Sequence, residues 1–109
     1  MEKQLDTNTA FIQVRVDIDL CGSLASKFVR KHFGLNKFTT LSTDQENDSL
    51  IIGFGYKVDG YPREVGHIIY ELGGLEMCVV VINDFAKKRF LDHLNATDFV
   101  FRVLPKKMN

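Results

Sequence analysis

Leu75-Glu76-Met77-Cys78-Val79-Val80-Val81-Ile82 is the longest apolar run in the chain, and its placement decides the fold. It is rich in β-branched residues and bounded by Gly73-Gly74 before and Asn83-Asp84 after. That pattern predicts a strand buried on both faces, and so one inside a sheet. Immediately upstream, Asp59-Gly60-Tyr61-Pro62 reads as a turn that delivers Pro62 to the first position of a helix. Val65, Ile68, Ile69 and Leu72 then fall at i, i+3, i+4 and i+7, one apolar stripe, with Gly73 as the stop. Immediately downstream, Asn83 or Asp84 is placed to cap a short helix whose inner side carries Phe85, Ala86, Phe90 and Leu94. Phe99 to Leu104 makes a last strand, stopped by Pro105.

Further out, Phe11 to Leu20 alternates strictly, with Ile12, Val14, Val16, Ile18 and Leu20 on one face, which predicts a half-buried strand. Ser23 is the expected cap of the helix that follows, in which Leu24, Phe28, Val29 and Phe33 recur at helical spacing until Gly34. Phe38 to Thr43 is weakly β-prone, Asp44-Gln45-Glu46-Asn47-Asp48 reads as a solvated loop, and Leu50 to Val58 is a strand, so the two strands form a hairpin.

The expected order is β-α-β-β-α-β followed by α-β. This is an α+β fold, a ferredoxin-like sandwich extended by a C-terminal α-β unit. In the unextended plan the run 75–82 lies at an edge, where an apolar strand is a template for aggregation. The last α-β unit resolves the conflict if 99–104 pairs beside 75–82 in parallel, giving the strand order 2-3-1-4-5. Right-handed crossovers then put all three helices on one face and leave the other bare. Four strands about 4.8 Å apart and about 17 Å long make that bare face roughly 300 Å². Covering it is worth on the order of 7 kcal/mol.

A chain of 109 residues, 45% hydrophobic and 26% charged, is expected to be one domain over residues 10–105, with flexible ends at 1–9 and 106–109. Fourteen basic residues balance fourteen acidic ones, which argues against binding a polyanion through net charge. Cys21 and Cys78 lack Cys-x-x-Cys spacing and sit in or beside apolar runs, so free buried thiols in a reducing cytoplasm are expected. The first residues lack a signal-peptide core, and no segment is long enough to span a bilayer, so no membrane partner is expected.

Gly53-Phe54-Gly55-Tyr56 resembles the core of the first RNP motif of the RNA-recognition-motif family, and it falls on the third strand, where that family carries it. The resemblance implies single-stranded nucleic-acid binding, with Phe54 and Tyr56 stacking on bases from the helix-free face and Phe11 as a third platform. Ile52 stands where the family has a basic residue, and Lys57 and Asp59 replace its apolar and aromatic positions. Acylphosphatase-like enzymes share the expected topology and hold phosphate in a glycine-rich loop after the first strand. Here that loop is Asp19-Leu20-Cys21-Gly22-Ser23, with one glycine and a carboxylate where an anion would sit.

Asp17 and Asp19 share the polar side of the first strand, as a solvated face does. His32, His67 and His93 are spread over three predicted helices with no ligand spacing, so no metal and no cofactor are expected. Lys87-Lys88-Arg89, Arg102, Lys106 and Lys107 make the C-terminal end basic, while Asp44, Glu46 and Asp48 make the hairpin loop acidic. Such a dipole steers association with a charged partner. The expected function is therefore a non-enzymatic protein-binding regulator or inhibitor of the immunity, antitoxin or anti-defence type. Its open sheet face or edge would be covered by another protein or, as a homodimer, by a second copy. The candidate contacts are Phe11, Arg15, Phe54 and Tyr56, with Asp44, Glu46 and Asp48 as a secondary set. Nucleic-acid binding through Phe54 and Tyr56 is the alternative.

Overall fold

The computed structural model describes residues 9–34, 39–72 and 76–105. Its elements are β1 (Thr9–Val14), α1 (Ile18–Phe33), β2 (Thr39–Glu46), β3 (Ser49–Val58), β4 (Tyr61–Glu71), β5 (Cys78–Asn83), α2 (Asp84–Asn95) and β6 (Phe101–Leu104). One six-stranded sheet, ordered β2-β3-β4-β5-β1-β6, is antiparallel at every pairing. The α+β class stands. The strand order differs from the expected 2-3-1-4-5, and the difference begins at residues 61–72.

That segment is a strand, not a helix. Asp59 and Gly60 both take left-handed backbone conformations, φ 52° and 84°. Val58 pairs with Tyr61, so they form a two-residue hairpin turn whose twist matches the flanking strands. The helix-like spacing of Val65, Ile68 and Ile69 comes from a β-bulge near Gly55 and Val65, which shifts the side-chain parity. Beyond it, Ile68 is buried and its neighbour Ile69 is half-exposed, as the two faces of a strand require. Pro62 is tolerated because it lies in an overhang, since β5 pairs with β4 only along Gly66–Tyr70.

The apolar run is flanked on both sides as expected, by the first strand β1 as the expected order has it, but on the other side by β4 instead of the last strand, and it is antiparallel to both. The parallel pairing of 99–104 with 75–82 does not occur, because β6 pairs antiparallel with the far side of β1. With β3, β4 and β5 joined as a meander, no crossover helix precedes β5. Its free side is taken by β1, and β6 closes the edge that β1 leaves. Gly73, Gly74, Leu75 and Phe38 lie outside the described residues, as do 1–8 and 106–109. Thr9, expected in the flexible N-terminus, is the first residue of β1.

Two further boundaries move. The alternation from Phe11 ends at Val14, and Asp17 rather than Ser23 caps α1, its Oδ1 accepting from Leu20 N at 2.8 Å. The cap turns Ile18 and Leu20 from strand into helix, and Asp19 joins the first turn, where a carboxylate meets the positive helix end. Asp44-Gln45-Glu46 belongs to β2, leaving Asn47-Asp48 as the turn.

Both helices cover one face of the sheet. Leu24, Ala25, Phe28 and Val29 of α1 and Ala86, Phe90 and Leu94 of α2 are buried with Ile12, Val14, Phe54, Ile68, Val80 and Ile82 of the strands. Phe28 and Phe90 meet edge to face at 5.0 Å, joining the helices. Phe85, expected on the inner side of α2, is 55% exposed.

Candidate interaction face

In an antiparallel sheet, residues opposite one another share a face. The register therefore assigns the helix-free side without ambiguity. One cross-strand row reads Ser42, Gly53, His67, Val81, Phe11, Leu104 from β2 to β6. The adjacent row reads Asp44, Ile51, Ile69, Val79, Gln13, Arg102. Ile51, Ile69, Val79, Val81 and Leu104 are half-buried by their neighbours alone, and Phe11 is 38% exposed. These side chains form an apolar band across the middle of a face that no helix among the described residues covers.

Charge is divided across this face. Asp44 and Glu46 on β2 and Glu64 and Glu71 on β4 are exposed on one half, with Lys57 at the end of β3 as a counter-charge, while Arg15 just past β1 and Arg102 on β6 are exposed on the other. Arg102 Nη2 donates to Gln13 Oε1 at 3.4 Å, and His67 Nε2 lies 2.8 Å from Glu64 Oε2. Gly53 beside that pair is buried, and the space a Cβ would take there is already filled by Ser42 Oγ, 2.5 Å away.

The expected contact residues separate. Phe11 and Arg15 lie on the open side and Asp44, Glu46 and Asp48 are exposed along β2 and its turn. Phe54 does not join them: it is 0% exposed, on the helix-covered face opposite Gly66. Tyr56 shares that face and stacks on Phe33, centroids 5.2 Å apart. The glycines, not the aromatics, point to the open side, so Phe54 offers no platform to a base. The sequence reading missed Ile51, Ile69, Val79 and Val81 as surface residues. The signal for them was present in β-branched residues at alternate positions that the inward face did not need.

The thiols are buried and free. Cys78 Sγ donates to Val16 O at 3.6 Å. A hydrogen bond to Cys78 and burial push the Cys21 thiol far above its ordinary range, so it holds its proton. The loop likened to an acylphosphatase phosphate loop is the first turn of α1. His32 and His93 meet across the helix seam at 5.7 Å, with His32 Nε2 and His93 Nδ1 buried and lacking a hydrogen bond. Burial first, then nearby Lys31 and Arg89, hold His32 below its ordinary value of 6.5. Burial, then His32, Lys31 and Lys27, do the same to His93. His67 lies away from them on β4. Among the described residues, no group of three or more histidine, cysteine, aspartate or glutamate side chains is placed to hold a metal ion. No helix among them is long and apolar enough to cross a membrane. No family model, curated protein or solved structure matches the chain.

Proposed function

We propose that the chain is a non-enzymatic, protein-binding regulator or inhibitor that works by docking protein on its helix-free sheet face. The observation that carries this reading is the apolar band of Phe11, Ile51, Ile69, Val79 and Val81 on the face opposite α1 and α2. Six strands about 4.8 Å apart and about 20 Å long give a face of roughly 500 Å². The apolar band fills the middle of that area, and a contiguous apolar patch on a surface is often a binding site. A small antagonist of the immunity, antitoxin or anti-defence type fits this size and this mode of action. The free thiols fit a reducing compartment, and the reading places the chain in the cytoplasm.

Phe54 lies in the core and Tyr56 stacks on Phe33, so neither ring is offered to a nucleic-acid base. Site-specific photo-crosslinking in cells tests the proposal. A benzophenone amino acid at Val79 or Ile69 is expected to trap a protein, while the same probe at Arg30 on the outer side of α1 traps none. Equal trapping from both sides, or none from Val79 and Ile69, rules the sheet face out.

A further inference from the structure

We propose that the protein seated on this face is a second copy of the chain, packed sheet to sheet about a two-fold axis that runs parallel to the strands between β4 and β5. The inference rests on the docking role of the face and adds the partner and its orientation. A two-fold interface requires one surface to complement itself.

An axis parallel to the strands exchanges β2 with β6, β3 with β1, and β4 with β5. The row Asp44, Ile51, Ile69, Val79, Gln13, Arg102 then meets its own reverse. Arg102 of one copy lies over Asp44 of the other, and Val79 lies over Ile69. Each pair occurs twice by symmetry. In the neighbouring row Phe11, the largest side chain on the face, comes down over Gly53 and the Ser42, Glu64 and His67 side chains that close around it. Arg15 is carried to the side where the other copy holds Glu46 and Glu71. The alternative axis, perpendicular to the strands, lays β2 on β2 and β6 on β6, so that the acidic edge with Asp44 and Glu46 meets its own copy. Charge therefore selects the first arrangement, which is also the aligned packing two twisted sheets adopt.

The area bears on affinity. Roughly 500 Å² from each copy gives about 1,000 Å² in total, the lower limit for a specific association. The dimer is accordingly expected to be weak and concentration-dependent.

Sedimentation velocity on the full chain, from about 1 μM to about 500 μM, reads this directly. A reversible monomer–dimer transition is expected within that range. Arg102→Asp and Asp44→Arg are each expected to weaken it about tenfold, since each change breaks two symmetric contacts. The double variant restores it. Both positions are exposed, so folding is retained, which circular dichroism checks. A chain that stays monomeric throughout, or a dimer indifferent to both charge reversals, overturns the proposal. The Val79 photo-crosslinker separates this failure from failure of the docking role. An adduct of twice the chain's mass supports a second copy. An adduct with a different protein overturns the second copy and leaves the docking role standing. An adduct with nucleic acid, or none, overturns both.

Discussion

At the scale of single residues, Phe54 shows how one register position reassigns a side chain from surface chemistry to core. Gly53-Phe54-Gly55-Tyr56 places two aromatics on one face of a strand whichever way it is turned, and the four letters do not say which face is covered. Pairing with Gly66 sends Phe54 beneath the helices, where the ring is 0% exposed. Phe54→Ala is therefore expected to destabilise the fold by about 3–5 kcal/mol, as a large-to-small core change does. Urea denaturation monitored by circular dichroism measures it. A loss below about 1 kcal/mol places the ring at a surface instead.

At the scale of elements, β4 is where sequence periodicity and structure part. The spacing of Val65, Ile68, Ile69 and Leu72 fits a helix, and Pro62 fits a helix start, yet the segment is the strand that makes the sheet a meander. Two local signals favoured the strand: the Asp59-Gly60 turn and the β-branched Val65, Ile68 and Ile69. They lost to the stripe because a bulge breaks strict alternation, and a bulge has no fixed residue signature at this site. Neighbouring isoleucines provide the test. Ile68→Ala is expected to cost about 2–4 kcal/mol, whereas Ile69→Ala in the monomer costs under about 1 kcal/mol, because only Ile68 lies beneath the helices. A helix with one apolar stripe would make both losses large. Chemical denaturation of the two variants at a dilution that keeps the chain monomeric distinguishes the cases.

At the scale of the whole molecule, the seam between α1 and α2 makes stability depend on pH. His32 and His93 are both held below 6.5 by burial and by a positive neighbourhood of Lys27, Lys31 and Arg89, against which Asp92 is the acid facing His32. The unfolded chain therefore binds protons at these sites more readily than the folded one. Their contribution is fully present above the ordinary histidine value and falls as pH drops from about 6.5 toward the lowered folded values. The thermal midpoint is expected to fall between about pH 7.5 and about pH 5.5, before the carboxylates titrate. In the double variant His32→Gln, His93→Gln that slope is expected to flatten. An unchanged slope assigns the pH dependence elsewhere.

Local chemistry alone determined the helix closed at Gly34, the strand Ser49–Val58, the helix Asp84–Asn95, the buried free thiols and the interior place of the run ending at Ile82. Each depends on a short-range pattern or on the apolar character of the residues themselves. Only the tertiary structure decided that Tyr61–Glu71 is a strand, that the sheet is ordered β2-β3-β4-β5-β1-β6, and which face of each strand the helices cover. Strand pairing is non-local. The same alternating residues satisfy either face until a turn, a bulge and a neighbouring strand set the register.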